Sequence, residues 1–261
     1  MPTKRIAIIS DLHCGHVAGL TPPGDKWYGG GKLADKTRPL RQELWKWFKS
    51  RVKANGPYDI VFANGDLIDG RGERSGGTEL ISQNRFDQVD MAIRVIQQFH
   101  AKKHVITRGT PYHTGNIEDF EDAIAKGLVG SKIGDHVFPE VNGLVFDLKH
   151  KVGGSSVPHG RHTAVSKERL WNMLWAEHDQ QPKGDVIIRS HVHYHSGAFG
   201  TDWLAMTTPA LQAAQTKFGA RQCSGTVDFG FLVFDIKSNG EYKWHAETIR
   251  PNGTKVETIK L

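Results

Sequence analysis

Hydrophobic positions recur with two different periods along the chain, and their alternation predicts an α/β protein. Short apolar runs at 6–9, 59–63, 104–107, 143–148 and 185–188 are bounded by polar residues or glycine and read as strands, the first of them buried on both faces. Between them the spacing turns helical. Leu40, Leu44, Trp47 and Phe48 predict a helix over 39–52 that packs through this stripe, and Met91, Val95 and Phe99 predict one over 86–101. A helix over 117–126 carries acids in its first turn, which suits the positive helix N-terminus, and another over 163–178 bears Leu170, Trp171, Leu174 and Trp175. From Trp203 onward the pattern is strand-rich, with a hairpin of 229–236 and 242–245 around Ser238, Asn239 and Gly240. This last part has two open uses, completing a second sheet or mediating dimerisation.

No internal repeat, low-complexity segment or linker divides the 261 residues, and that length suits a single domain over 1–261. The two cysteines, Cys14 and Cys223, give no disulfide framework and no Cys-x-x-Cys, so a reducing compartment is expected and a cysteine-based zinc site is not. There is no N-terminal apolar h-region and no apolar run of about 18 residues, so the expected location is cytoplasmic, without membrane insertion. The net charge of +6 permits attraction to phosphate-rich partners, but the Lys and Arg residues form no block. No helix shows the basic face of a double-stranded DNA reader.

The 14 histidines are clustered, and with the aspartates they fall where strands end. Asp11 and His13 follow the first strand and Asp66 the second; His113 follows the third, His150 the fourth, and His191 with His193 the fifth. In an open α/β sheet such ends share one edge, where ligands bind. Mixed Asp and His ligation suits Mn, Fe, Zn, Co or Ni, whereas an all-oxygen set would have pointed to Mg or Ca. His191 and His193, two apart on an extended segment, point the same way and can serve two neighbouring ions. Pairs of ions ~3.5–4 Å apart are a recurrent device for phosphoryl-ester hydrolysis.

The order Asp11-x-His13, Gly65-Asp66-x-x-Asp69, Gly109-x-x-x-His113, His150 and His191-x-His193 resembles the calcineurin-like metallophosphoesterase superfamily, over roughly residues 5–200. The resemblance implies a sandwich of two mixed β-sheets flanked by α-helices. It also implies two divalent metal ions, Mn above Fe, Zn, Ni or Co, with Asp11, His13, Asp66 and His193 on the first and Asp66, His150 and His191 on the second. A water or hydroxide bridging the ions would attack a phosphate ester, with a phosphodiester in a nucleotide or nucleic acid favoured over a monoester. The third motif departs from the family, which has Gly-Asn-His; here Thr110 takes the Asn position and His113 comes two residues later. Thr110 is therefore a weaker second-metal ligand, the second ion is expected to be held loosely, and His113 is the candidate general acid. The Gly-Thr-Pro-x-His form, with Gly-Ser-Ser-Val-Pro at 154–158, resembles bacteriophage versions of the superfamily, so the setting expected is a bacterial or phage-infected cell.

Other residues carry two readings each. Arg108 and Arg161 either clamp a phosphate bidentately or serve in salt bridges and solvent. His16, His159, His162 and His195 either touch substrate or stay in supporting and surface roles. Trp27, Tyr28 and Tyr112 either stack on a base or pack their loops. Asp69 either orients a metal-bound imidazole or caps its loop. The alternative to an enzyme is a catalytically weak metal-binding module of the same fold that binds a protein partner. The oligomeric state is open.

Overall fold

The first strand shows how the layers arise. In β1 (Lys4–Ile9) Ala7 and Ile9 enter one apolar cluster while Ile6 and Ile8 enter another, and all four are fully buried. A strand with both faces apolar must lie between two layers. In this computed structural model, residues 2–24, 31–115, 119–214, 225–254 and 258–260 are described. Trp27, Tyr28, Cys223 and the first two positions of the helix expected over 117–126 lie outside them.

After β1 the order is α1 (Gly31–Asn55), β2 (Ile60–Asn64), α2 (Arg85–Gln97), β3 (Lys103–Thr107), α3 (Pro111–Thr114), α4 (Phe120–Gly127), β4 (Ser131–Gly134), β5 (His136–Val137) and β6 (Glu140–Val141). Then follow β7 (Leu144–Lys151), α5 (Arg161–Glu177), β8 (Val186–Ser190), β9 (Ser196–Phe199), β10 (Leu204–Thr207), β11 (Phe229–Ile236) and β12 (Tyr242–Ile249). One six-stranded sheet runs β12-β11-β1-β2-β3-β4, parallel from β1 to β4 and antiparallel at β11 and β12. The other runs β5-β7-β8-β10-β9, parallel in its centre and antiparallel at both edges, and β6 pairs with β7. Ile6, Ile8, Phe62, Phe146, Ile188, Met206 and Phe234 form the core between the sheets. Leu44, Phe48, Met91, Val95 and Ile124 of α1, α2 and α4 cover the outer face of the first sheet, and α5 lies on the outer face of the second. The C-terminal hairpin thus completes the first sheet. No helix among the described residues is long and apolar enough to cross a membrane.

The expected stripe of α1 is buried at Leu40, Leu44 and Phe48, with Trp47 edge-on to Phe229 and Phe231. Its helix starts eight residues before Pro39, contrary to the expected start there. Pro39 costs one helical hydrogen bond, and nearby carbonyls find other donors: the Thr37 hydroxyl donates to Leu33 and Ala34, and Arg41 donates to Ala34. The helix expected to reach 101 ends at Gln97, with Phe99 buried beyond it. β7 runs through Lys151, so His150 stands inside the strand's end instead of after it, at a register shift between Leu148 and Lys151. The strands of two to four residues before Trp203 and the single-turn α3 escaped prediction because so few residues carry no period.

Candidate metal centre

The strand ends are built to turn sharply. Asp11 (φ 49°) and His13 (φ 44°) follow β1, Asp66 (φ 52°) follows β2, and His191 (φ 76°) and His193 (φ 57°) follow β8. These are five of the eight non-glycine residues with left-handed backbone among the described residues, so the strain concentrates here, as at functional sites. Backbone bonds tie the loops together: Asp11 N–H donates to Gly65 O (2.9 Å), His13 N–H to Asp66 O (3.1 Å) and Cys14 N–H to Leu67 O (3.2 Å). Gly65 has no alternative, because a Cβ there would lie 2.5 Å from the His150 ring.

Beneath the turns runs a buried belt of short polar side chains. Thr107 Oγ1 donates to Asn64 Oδ1 (2.6 Å), Asn64 Nδ2 donates to Ser190 Oγ (2.7 Å), and Thr208 Oγ1 links Ser190 Oγ (2.8 Å) to Ser10 Oγ (2.6 Å). Each residue closes or follows one strand, so the belt locks five strand ends across both sheets. Sequence reading missed it, although Ser10 and Ser190 directly precede Asp11 and His191.

Asp11, His13, Asp66 and His150 are buried, and His191 and His193 are partly exposed. His193 Nε2 lies 3.3 Å from Asp11 Oδ1 and from His13 Nε2. His150 Nε2 lies 3.0 Å from Asp66 Oδ2 and 3.9 Å from Asp11 Oδ1, and His191 Nδ1 lies 3.9 Å from Asp66 Oδ2. Three groups each bring their ligand atoms within 4.8 Å of one another: Asp11, His13 and His193; Asp66, His150 and His191; His13, Asp69 and His113.

Hydrogen bonds set the ring orientations. His150 Nδ1–H donates to Asn64 O (2.6 Å) and His13 Nδ1–H donates to Asp69 Oδ1 (3.0 Å), which aims both Nε2 atoms inward. Asp69 thus orients His13, the first of its two readings. Burial by itself would raise Asp11 and Asp66, but the facing imidazoles, His193 for Asp11 and His150 for Asp66, hold both carboxyls well below the usual range. His150 answers in kind: burial opposes its charge, yet Asp66 pushes it up to about 10. Burial takes His13 down to about 4.

This set fits divalent cations. The only ion-pair partners of these two fully buried carboxylates are imidazoles, with no Lys or Arg paired to either among the described residues. Asp11 Oδ1 and His150 Nε2 are buried without a hydrogen-bond partner. Such orphaned groups are costly unless something positive sits between them.

His113, on α3, donates from Nδ1 to Asp69 O (2.9 Å) and sets its ring edge-on to His13 at 4.5 Å. Thr110 donates to Asp66 Oδ1 through both its N–H (2.7 Å) and its hydroxyl (3.0 Å). A side chain at Gly109 would collide with Asp66. Arg108 is held by Asp119, Asp122 and Asp135 at 3.2, 2.7 and 3.0 Å, which favours the salt-bridge reading over a free phosphate clamp. His16 is buried, with Nδ1 accepting Ala18 N–H (3.0 Å), and Arg161 lies over the Tyr194 ring with Nη1 donating to Thr226 (3.1 Å); neither lines the cavity described next. His162 and His195 bond the backbone oxygens of Gly197 and Thr207, and His159 is exposed.

A cavity of about 490 Å³ opens at the His150 and His191 side of the cluster, lined also by Thr110, Tyr112, His113, Lys149 and Lys151 among others. Lys149 is paired with Glu168 at 2.9 Å, whereas Lys151 is exposed. Both lysines were missed, because alternation around His150 reads as ordinary strand polarity. Glu121 was missed too. It is fully buried, accepting Leu67 N–H (2.9 Å) and Gly109 N–H (2.6 Å), and so ties the Asp66 and Thr110 loops.

No family model and no curated protein matches the chain. Among solved structures it is similar to Vacuolar Protein Sorting 29 from Cryptosporidium parvum, at 12% identity and a TM-score of 0.50, over 95% of this chain and 99% of that one. It is also similar to the Entamoeba histolytica counterpart (12% identity, TM-score 0.47, 94% and 99% covered) and to an archaeal phosphodiesterase (14%, 0.46, 93% and 99%). The first likeness is one of fold: two mixed sheets flanked by helices, as expected of a calcineurin-like phosphoesterase.

Proposed function

We propose that the protein is a divalent-metal-dependent phosphoesterase, with a phosphodiester of a nucleotide or nucleic acid as its preferred substrate class. The observation that carries this reading is the pair of buried carboxylates, Asp11 and Asp66, ringed by imidazoles and left with orphaned atoms. Asp11, His13, Asp66 and His193 would hold one ion, and Asp66, His150 and His191 the other. The second set has one ligand fewer and holds its ion more weakly. Thr110 acts through Asp66, whose carboxylate it orients with two donated hydrogen bonds.

Two such ions, when bound, polarise a phosphoryl oxygen and make a water nucleophilic near neutral pH. The chain supplies the rest. Asn64 and Asp69 hold His150 and His13 in the tautomer whose Nε2 faces Asp66 and His193, respectively. Lys151, at the cavity rim, attracts the anionic ester and offsets charge on its non-bridging oxygens. His113 keeps Nδ1–H on Asp69 O, so Nε2 is the nitrogen that, in the imidazolium form, passes its proton to the leaving oxygen. Lysines at the rim and the net charge of +6 support a polyanionic substrate.

The test is hydrolysis of bis-p-nitrophenyl phosphate beside p-nitrophenyl phosphate by chelator-stripped protein reloaded with Mn, with Asp66→Asn as control. Diester turnover abolished by Asp66→Asn is the expected result. Absence of turnover with Mn, Ni, Co or Zn, although metal binds, would overturn the enzyme reading and leave a metal-binding module.

A further inference from the structure

Helix α5 is amphipathic the wrong way round. Towards its sheet it buries only Val165, Arg169 and Asn172, and it is fastened largely by polar contacts: Arg169 Nη1 donates to Gly184 O, and Asn172 bonds both Asp147 and Gly184. Towards solvent it turns Leu170, Trp171, Met173, Leu174 and Trp175, which are 54, 56, 47, 42 and 49% exposed. Five large apolar side chains within six positions form a patch of the kind that marks an interaction site.

The occupant is indicated by the pattern around the leucines. Opposite the buried stripe lie Thr163, Lys167, Leu170, Leu174 and Glu177, alternately four and three residues apart, the spacing of a coiled-coil seam. We propose that this face pairs with the same face of a second copy of the chain, the two α5 helices running antiparallel across a two-fold axis near Asn172. That axis sets Leu170 against Leu174 of the second copy, and Lys167 against its Glu177. Both charged residues are exposed, and neither has a salt-bridge partner among the described residues. A parallel pairing would instead oppose lysine to lysine and glutamate to glutamate. Self-complementarity of this kind is what a two-fold interface requires. Trp171, Met173 and Trp175 flank the seam and widen it.

The cleft of about 360 Å³ beside Trp171 and Trp175 is not a ligand site of its own. Its charged walls are already satisfied: Asp147 pairs with His136 and Arg189, and Glu168 pairs with Lys149 and Arg189. It leaves room for a side chain of the second copy.

Sedimentation equilibrium of the full chain tests the pairing. The expected result is a reversible dimer with a dissociation constant on the order of 1 μM. Leu170→Glu and Leu174→Glu, both at exposed positions that leave the fold intact by circular dichroism, raise that constant at least about tenfold. Lys167→Glu alone raises it about fivefold, because symmetry repeats the pair, and adding Glu177→Lys to the same chain restores it. A monomer at all concentrations would overturn the proposal and give the face to a different macromolecule. A dimer indifferent to Leu174→Glu, or a charge reversal that the double variant does not rescue, would overturn it as well.

Discussion

Replacing Glu121 by Gln isolates one buried carboxyl that joins the two loops carrying Asp66 and Thr110. Its oxygens accept Leu67 N–H and Gly109 N–H, and burial pushes its carboxyl up to about 8. The unfolded chain ionises this group near the ordinary 4.5, whereas the folded chain does so only near 8. Between these values the folded state holds the extra proton, so stability falls as pH rises through the window and levels off above it. At about 1.4 kcal/mol per pH unit, the full window amounts to roughly 5 kcal/mol. Glu121→Gln keeps the shape and cannot ionise. Near pH 5 the variant should lie about 1–3 kcal/mol below the parent, because one of the two backbone N–H groups then faces an amide nitrogen that cannot accept it. Towards pH 8 its relative stability should climb by several kcal/mol. The assay is urea unfolding of metal-stripped protein, followed by tryptophan fluorescence at about pH 5, 6.5 and 8. A difference that stays constant across this range would refute the reasoning, for it would mean that Glu121 is already ionised in the folded protein.

Three further predictions follow from named contacts. Asp69→Asn leaves a weaker partner for His13 and should lower metal affinity about 10- to 100-fold by calorimetric titration, with the fold unchanged. Asp147→Ala strips the fully buried Arg189 of one of its two carboxylates and should cost about 3–5 kcal/mol in denaturant unfolding at neutral pH. Burial raises Asp147, but His136 and Arg189 outweigh it and hold the carboxyl down at about 2. Its stabilisation is therefore present above 3.8 and lost as pH falls through about 2, a loss that the Ala variant should not show. His113→Ala should slow esters with a poor alkoxide leaving group by about 10²–10⁴ while sparing p-nitrophenyl esters, whose leaving group needs no proton.

The ligand-type residues were legible because an apolar run that stops at an Asp or His breaks its own period, and Asp11, Asp66 and His191 each stand at such a break. The strands, the main helices and the hairpin at Gly240 were legible from the same alternation, whereas the two-sheet arrangement was expected from the resemblance alone. What could not be read depends on partners distant in sequence. Glu121 looks like an ordinary first-turn acid until the Leu67 and Gly109 amides are seen on it. Asn64, Thr107 and Thr208 look like strand-end polarity until the belt is closed. The leucines and tryptophans of α5 have core spacing and face outward, because the helix is held down by Arg169 and Asn172 instead. Arg108 sits beside a motif, yet three acids from α4 and its surroundings claim it.

The most direct test of the central claim is anomalous diffraction from crystals of the protein reloaded with Mn. The account predicts two peaks ~3.5–4 Å apart, one among Asp11, His13 and His193 and a weaker one among His150 and His191, with Asp66 between them. Absence of both peaks, or a single ion bound away from Asp66, would contradict it.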